Sequence, residues 1–304
     1  MTDGGRHGLT DGGRHGLVDG EGIDAAAALA GLDDGAPGDE RVVFEDAEPL
    51  FRAVAYDPRM RLHFYGTKGY VEEESRAHSG HSAFTVEAEG FRLLCDFGQN
   101  RKGLLPTIRP DAVFLSHAHP DHAWGLEEGT DVPVHASAIT HTITKDLPIR
   151  SRVTLDPEKT VAAGPFRLTA FPVIHSVRCP CTAVRIESPG LVVVYSGDII
   201  AFERPEAALA GAGLYIGDGS TLKGSLVRRH PTGALMGHTT VRAQLGWLGK
   251  FGIGRAFFSH FGKGPIEMGE PALKKALEEL AREKAPGCEV SAARDGLKVE
   301  IAGS

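Results

Sequence analysis

The chain has 304 residues, of which 41% are hydrophobic and 24% are charged, and both fractions are ordinary for a globular protein. This length allows one large domain or two small ones with a full core. The formal net charge of −7 excludes a surface that is basic throughout, as a general nucleic-acid binder would have, but it allows a local basic patch.

Cysteine usage and hydropathy predict a cytoplasmic protein. The four cysteines do not resemble a disulfide framework in a chain this long, and Cys179 and Cys181 are separated only by Pro180. Residues 1–22 are mostly glycine, aspartate, histidine and arginine, unlike a signal peptide. No apolar run approaches the ~18 residues of a membrane span.

The chain begins with a repeated segment, because TDGGRHGL occupies residues 2–9 and again residues 10–17. Two glycine-rich copies cannot stack into a core, so a flexible, low-complexity tail is expected over residues 1–40. The remainder, residues 41–304, is expected to form the folded domain.

Short runs rich in β-forming residues begin near residue 60 and are separated by glycine. The first are RLHFYG, SAFTVEAEG, FRLLCDFG and DAVFLSH, and EAEGF is typical of a hairpin turn. Later runs are VPVHA, RLTAFPVIH, TAVRIES, GLVVVYSGD, GLYIGD, GALMGH and RAFFSHF. His78 and His81, which precede one of the first strands, are expected in a surface loop, and a position at the mouth of the pocket is the alternative.

Helices are expected between the later strands, at residues 137–145, 203–210, 239–250 and 271–285. A final hairpin is expected in CEVSAARDGLKVEI, with its turn at Asp295-Gly296. Strands with tight turns, followed by strands that alternate with helices, favour two sheets covered by helices over a plain parallel sheet.

Five of the predicted strands end in a residue type that binds metals. These residues are His117 after AVFLS, His175 after FPVI, Asp198 after VVVYSG, His238 after ALMG and His260 after AFFS. Functional groups in open sheets gather outside the strand ends, so five such endings at one edge predict a single cluster.

The segment SHAHPDHAWG at residues 116–125 adds a dense group of metal-binding side chains. His117 and His119 are two positions apart, so in an extended segment their rings face the same way. Pro120 then turns the chain before Asp121 and His122. This turn can direct the pair His117 and His119 to one ion and the pair Asp121 and His122 to another. Two divalent ions ~3.5–4 Å apart would hold a bridging hydroxide and substrate oxygens. Imidazole with a carboxylate suits zinc best, with manganese and iron as alternatives.

The segment SHAHPDH resembles the H-x-H-x-D-H signature of the metallo-β-lactamase superfamily. Other elements of that family occur in the expected order, with DFG at 96–98, IHS at 174–176, SGD at 196–198 and SHF at 259–261. The resemblance implies an α+β fold, a four-layer αββα sandwich, with a di-metal site at the sheet edge. Residues 41–304 would then be a metallo-β-lactamase-like hydrolase domain.

The resemblance also implies roles for individual residues. Asp96 resembles the aspartate that orients the ligand loop by hydrogen bonds. The ligands of the first metal would be His117, His119 and His175, those of the second would be Asp121, His122 and His260, and Asp198 would bridge the two.

Either His238 or His260 is expected to be the last ligand. The end of AFFSH copies that of VFLSH, and this repetition favours His260. His238 would then be available to protonate a leaving group, so Asp121 and His238 are the candidates for catalytic roles.

Three features favour a phosphodiester substrate. GHTT, which contains His238, resembles the H-[ST] element of the ribonuclease Z-like and related phosphodiesterase branch. Two acidic ligands suit phosphate oxygens that share their charge between two cations. The run KGSLVRRH is either a solvated loop or a group of candidates for phosphate binding, namely Lys223, Arg228 and Arg229.

These features predict that a metal-bridging hydroxide attacks a phosphodiester while His238 assists the leaving group. Residues 176–197 are typical of a hairpin that turns at Pro189-Gly190, which leaves no room for the long arm of tRNA-processing relatives. The expected substrates are therefore small phosphodiesters or short oligonucleotides. No association with a membrane is expected, and the chain could form a homodimer. A lactone or acyl-ester hydrolase with the same metals is the alternative, followed by a non-enzymatic binding relative.

Overall fold

The computed structural model describes residues 59–302. The tail expected at residues 1–40 lies outside this range, as do residues 41–58 of the expected domain. Within the described part, none of the helices has the length and apolar character that crossing a bilayer requires. All four cysteines are free thiols.

The strands alternate with short turns at first and with helices later. In chain order they are β1 (Met60–Gly66), β2 (Ala83–Ala88), β3 (Phe91–Cys95), β4 (Ala112–Leu115), β5 (Val134–Ala136), β6 (Arg152–Thr154), β7 (Thr160–Ala163), β8 (Phe166–Ile174), β9 (Cys181–Ser188), β10 (Leu191–Tyr195), β11 (Ala201–Phe202), β12 (Leu214–Asp218), β13 (Arg228–Arg229), β14 (Leu235–Met236), β15 (Arg255–Ser259), β16 (Glu289–Ala292) and β17 (Lys298–Ile301).

The four predicted helices are present, together with shorter ones. The helices are α1 (Leu105–Ile108), α2 (Pro120–Ala123), α3 (Ala138–Ile143), α4 (Pro205–Leu209), α5 (Val241–Phe251), α6 (Lys263–Met268) and α7 (Glu270–Lys284), with 3₁₀ turns at Gln99–Arg101 and Trp124–Glu128. Thr240 begins α5, since its side chain accepts a hydrogen bond from the backbone N–H of Ala243, and Gly252 ends it in the left-handed conformation.

Most of the strands form two mixed sheets. The first has the order β17-β1-β2-β3-β4-β5-β6, and the second has the order β11-β8-β9-β10-β12-β15-β16, with β7 also paired to β8. The neighbours from β3 to β6 run parallel, as do β10, β12, β15 and β16. β8 has the same direction as β10, because both are antiparallel to β9.

Three apolar clusters define four layers. The first lies between the sheets and joins residues of β1 and β2 to residues of β8, β9 and β10. The second packs α5 and α7 on the outer face of the second sheet. The third packs α1, α2 and the 3₁₀ turn Trp124–Glu128 on the outer face of the first sheet. Each sheet is therefore apolar on both faces, and the architecture is the predicted αββα sandwich.

The predicted C-terminal hairpin is wrong. β16 pairs in parallel with β15 in the second sheet, whereas β17 pairs antiparallel with β1 in the first. The turn at Asp295-Gly296 therefore crosses from one sheet to the other. Asp295 accepts hydrogen bonds from Thr67 Oγ1 at 2.8 Å and from the backbone N–H of Gly80 at 2.8 Å. A local turn signal cannot reveal that the flanking strands have partners in different sheets.

The surface position expected for His78 and His81 is also wrong. Their exposed fractions are only 2% and 9%. His78 Nδ1 lies 2.9 Å from Thr67 Oγ1, so the segment after β1 is folded into the protein around this contact. A polar sequence such as RAHSGHS gives no local indication of this burial.

Candidate metal centre

The predicted ligand residues follow strands whose carboxyl ends meet at one edge of the sandwich. In the first sheet, His117 and His119 follow β4. In the second sheet, His175, Asp198 and His260 follow β8, β10 and β15, which share one direction. This common direction brings residues from distant parts of the sequence to the same edge.

One group of potential ligands contains His117, His119, His175 and Asp198, whose ligand atoms all lie within 4.8 Å of one another. His119 Nδ1 is 2.8 Å from His117 Nε2 and 3.3 Å from His175 Nε2. Asp198 Oδ2 is 3.6 Å from Nε2 of both His117 and His175. His175 Nδ1 is 3.0 Å from the carbonyl oxygen of Gly237, which leaves Nε2 on the side of the cluster.

A second group contains Asp121, His122 and His260. His260 Nε2 and His122 Nε2 lie 3.0 Å and 3.6 Å from Asp121 Oδ2. The other oxygen of Asp198, Oδ1, lies 3.2 Å from His122 Nε2 and 3.4 Å from His260 Nδ1. Asp198 thus presents one oxygen to each group, and it is the residue that joins them.

The ligand loop contains two pairs of candidate ligands. His117 and His119 precede the short helix α2, whereas Asp121 and His122 lie in it. His119 precedes it in an extended conformation (φ −64°, ψ 151°), and Pro120 occupies its first turn. Asp121 and His122 lie within α2 and are buried. The change from extended to helical backbone at Pro120 places the two pairs in different groups.

Asp96, which follows β3, forms hydrogen bonds with the ligand loop at residues 116–125. Its Oδ1 accepts the backbone N–H of Ser116 at 2.7 Å. Its Oδ2 is 2.7 Å from Ser116 Oγ, 2.7 Å from His122 Nδ1 and 2.6 Å from Tyr195 OH. With Nδ1 of His122 fixed in this way, Nε2 faces Asp121 and Asp198.

The donor set suits a divalent cation. His122 Nε2 and Asp198 Oδ1 are buried 3.2 Å apart, yet neither forms a hydrogen bond with the other or with another described residue. Buried polar atoms in native proteins are nearly always partnered, so two unsatisfied atoms in one cluster suggest that a further group completes it. Imidazole nitrogens and carboxylate oxygens are ligands of zinc and similar metals.

Burial and the density of charge shift the protonation of these groups. Burial, reinforced by neighbouring imidazoles, holds the pKa of His117 well below its usual value and lowers the pKa of His119 to about 4. Burial alone would raise the pKa of Asp121, but adjacent histidines outweigh it and lower the pKa to about 2. Burial lowers the pKa of His260, yet nearby carboxylates raise it to about 10. The carboxylates therefore favour positive charge in this cluster.

His238 lies beside both groups. Its ring centroid is 4.9 Å from that of His175 and 5.5 Å from that of His260. Its Nδ1 is 2.7 Å from Oδ2 of Asp218, a fully buried residue at the end of β12. Ser220 Oγ donates to Asp218 Oδ1 at 2.5 Å and lies 3.2 Å from His238 Nδ1.

Sequence reasoning missed Asp218, Ser220 and Tyr195. Asp218 had a usable signal, because LYIGD is an apolar strand that ends in a carboxylate, like VVVYSGD. Ser220 and Tyr195 had none, since their roles depend on contacts with residues of other strands. The ligand atoms of His238 and Asp218 also lie within 4.8 Å of those of Asp198 and His260, so both predicted candidates for the last ligand are in reach of a metal.

The cluster opens into a cavity of about 840 Å³, which we call the main cavity. Its lining includes His119, Asp121, Asp198, His238 and His260. A neighbouring cavity of about 590 Å³, the side cavity, is reached by three histidines of the cluster, His119, His175 and His238.

The three cations predicted to bind phosphate lie on one exposed segment, and they differ in position. Arg228 lines the side cavity. Arg229 donates through Nη1 to the carbonyl oxygen of Gly233 in its own hairpin, at 2.7 Å. Lys223 is exposed. Among these three, Arg228 is the one that lines a cavity beside the cluster.

Comparison with known proteins agrees with this geometry. The sequence profile of the family described as "Beta-lactamase superfamily domain" matches residues 92–261, which is more than half of the chain. The ribonuclease Z of Methanopyrus kandleri is 29% identical over 150 residues, which cover 44% of this chain and 52% of that protein. The protein named "Probable metallo-hydrolase YhfI" of Bacillus subtilis is 27% identical over 161 residues, 46% of this chain and 64% of that protein.

The chain thus spans about half the length of the first of these relatives. The crystal structure of the metallo-β-lactamase fold protein YhfI from Bacillus subtilis superposes with a TM-score of 0.63 at 20% identity, over 81% of this chain and 100% of that one. The matched profile, the similar fold and the HxHxDH loop lead to one conclusion. The chain belongs to the metallo-β-lactamase superfamily.

Proposed function

We propose that this protein is a metal-dependent hydrolase that cleaves phosphodiesters. The proposed ligands of one cation are His117, His119 and His175, those of a second are Asp121, His122 and His260, and Asp198 serves both. Zinc is the proposed metal, because imidazole-rich sets with few carboxylates favour it. The name of the Methanopyrus kandleri relative, a ribonuclease, supports a phosphodiester substrate.

Divalent cations at these positions would lower the pKa of water towards neutrality and polarise the bond under attack. The protein must then hold the ligands in place, orient the substrate and deliver a proton to the leaving oxygen. Asp96 performs the first task through its contacts with the ligand loop. Asp121, besides acting as a ligand, faces the main cavity, where it can orient the attacking water.

The Asp218–His238 pair is the single observation that carries the assignment to phosphodiesters. His238 lines the cavity with Asp121 and Asp198, and its Nδ1 atom is held by the Asp218 carboxylate at 2.7 Å. That contact leaves Nε2 for the substrate and stabilises the protonated ring, so His238 can protonate a departing alkoxide. An acyl or lactone substrate also expels an alkoxide, but it does so from a tetrahedral intermediate that forms first, so a proton donor contributes less to the step in which water attacks the carbonyl.

The proposed substrates are small phosphodiesters or short oligonucleotides. The chain between His175 and Asp198 contains little more than the β9–β10 hairpin, so this part of the fold has no long arm that could grip a large RNA. A net charge of −7 also disfavours tight binding of a long polyanion.

The experiment is a hydrolysis panel with zinc-loaded protein. The substrates are bis-p-nitrophenyl phosphate, a 2′,3′-cyclic nucleotide, a lactone and a β-lactam, each compared between wild type and His238→Ala. We expect the two phosphodiesters to be cleaved. The variant should lose about 10²-fold or more on the cyclic nucleotide and much less on the nitrophenyl ester, because p-nitrophenolate leaves without a proton.

The same panel discriminates between the functions. Preferred cleavage of the lactone, with His238→Ala unimpaired, would replace the proposal with the acyl-hydrolase alternative. Absence of turnover on every substrate by zinc-loaded protein would favour a binding relative. An equal loss on both phosphodiesters, with bound zinc unchanged, would remove the proton-donor role of His238 but leave the substrate class intact.

A further inference from the structure

The side cavity differs from the main cavity in its charge. The main cavity contains the carboxylates of Asp121 and Asp198. The described residues that line the side cavity include no carboxylate, and they include Arg178, Arg228 and His230. The side cavity is therefore a basic compartment that adjoins an acidic metal centre.

Arg178 and Arg228 have no competing partner. Within residues 59–302, neither side chain forms an ion pair or a hydrogen bond with another side chain. By contrast, Lys263, the cation of the main cavity, is paired with Glu73 and lies 3.6 Å from Glu267. Two arginines without ion-pair partners that line one cavity can direct their planar guanidinium groups at an anion. Arginine forms bidentate contacts with phosphate.

The two cavities meet at the metal centre. Both are lined by His119 and His238, and both share a wall formed by Tyr70, Val71 and Leu226. His175 faces the side cavity as well. A substrate whose reacting phosphate lies beside His238 therefore lies next to the side cavity, because His119 and His238 line both cavities.

We propose that Arg178 and Arg228 bind a second phosphate group of the substrate in the side cavity. The preferred substrates are then phosphodiesters that carry another phosphate a short link away from the bond that is cleaved, as in an ester of a nucleoside 5′-phosphate that also carries a 3′-phosphate. This inference rests on the proposed function for its reaction, but the binding that it describes can be measured without turnover.

The binding experiment uses isothermal titration calorimetry on the zinc-loaded protein with two probes, thymidine 3′,5′-diphosphate and thymidine 5′-monophosphate. The wild type should bind the diphosphate about tenfold or more tightly, because a charge-assisted contact to each arginine is added. Arg178→Gln/Arg228→Gln should bind both probes equally, and each single variant should lose part of the preference.

The control is Arg150→Gln/Arg282→Gln, which removes the same charge from exposed positions elsewhere. It should keep the preference of the wild type, and unchanged thermal midpoints should show that all variants fold. A wild type that binds the two probes equally would overturn the proposal. So would a double variant that retains the preference, or a control that loses it, since the effect would then be one of net charge.

Kinetics separate this proposal from the assignment of function. The p-nitrophenyl esters of thymidine 5′-phosphate with and without a 3′-phosphate form a matched pair of substrates. We expect the 3′-phosphate to lower KM about tenfold in the wild type but not in the double variant. If neither ester is hydrolysed, the proposed function fails, and the calorimetric preference still decides whether the side cavity recognises a second phosphate.

Discussion

His238 Nδ1 lies 2.7 Å from Asp218 Oδ2, and this contact joins the loop before α5 to the end of β12. Asp218 is itself fixed, because Ser220 Oγ donates to its Oδ1 and Gln244 Nε2 donates to its backbone carbonyl at 2.7 Å. A buried carboxylate held in this way fixes both the orientation and the tautomer of the histidine ring. Asp218 is therefore expected to act through His238.

The first prediction concerns Asp218→Asn, which preserves the shape of the side chain and removes its charge. We expect kcat on a cyclic nucleotide to fall about 10- to 100-fold, because His238 loses the group that stabilises its protonated form. Elemental analysis should show the metal content of the wild type. Full metal content would show that the fall in kcat does not result from the loss of a metal ligand.

A double-mutant cycle provides the control. If Asp218 acts only through His238, Asp218→Asn should cost nothing further in a His238→Ala background. Additive losses would mean that Asp218 has a separate role, such as direct contact with a metal, which its proximity to Asp198 and His260 permits.

The second prediction concerns Asp96, which contacts the ligand loop but is not itself one of the proposed ligands. Asp96→Asn should weaken zinc binding about 10- to 100-fold, since it loses the charge that orients His122 and the backbone of Ser116. Titration against a competing chelator measures this affinity. Tyr195→Phe removes one hydrogen bond to the same carboxylate, at 2.6 Å, and should cause a smaller loss.

The order of the two losses is the critical result. If Asp96→Asn bound zinc as tightly as the wild type, the loop would be held by its own backbone contacts. If Tyr195→Phe had the larger effect, the hydroxyl group of Tyr195 would be more important to the loop than the charge of Asp96, because the variant keeps the ring contacts with Phe84 and Phe114.

Much of the grouping at the candidate metal centre can be anticipated from the sequence because the information is local. Each proposed ligand after the first loop ends an apolar strand, as in FPVIH for His175 and AFFSH for His260, and strand ends of one direction converge in a layered fold. The Pro120 turn in the ligand loop is equally local. Asp218 followed the same rule, and applying the rule to LYIGD would have included it.

What the sequence could not predict depends on pairing between distant segments. Tyr195 lies in β10 of the second sheet, yet its hydroxyl group donates to Asp96 of the first sheet. The separation of β16 and β17 into different sheets has a similar origin, because β16 pairs with the preceding strand β15, whereas β17 pairs with β1 at the other end of the described residues. Arg178 was missed because an isolated arginine after β8 becomes notable only when Arg228 lines the same cavity.

The third prediction concerns the last metal ligand. His260→Ala should lower the zinc content of the protein, whereas His238→Ala should leave it unchanged. His260 Nε2 lies 3.0 Å from Asp121 Oδ2 and its Nδ1 lies 3.4 Å from Asp198 Oδ1, so it contacts both carboxylates that are proposed as ligands. Elemental analysis of both variants after dialysis decides between them. A loss of zinc in His238→Ala alone would exchange the two roles.

The last prediction uses two glycines to test how tightly the ligand loop is packed. A Cβ atom at Gly98 would lie 2.3 Å from the carbonyl oxygen of Asp121, so Gly98→Ala must displace the loop or the DFG turn. At Gly246, in the middle of α5, a Cβ atom would meet nothing within 4 Å. In chemical denaturation of the metal-free protein, Gly98→Ala should be destabilising by about 1–3 kcal/mol. Gly246→Ala should be stabilising by up to about 1 kcal/mol, because alanine is the better helix former. If Gly98→Ala were as stable as the wild type and bound zinc equally well, the loop would be loosely packed, and Asp96 rather than close packing would have to hold Asp121 and His122 in position.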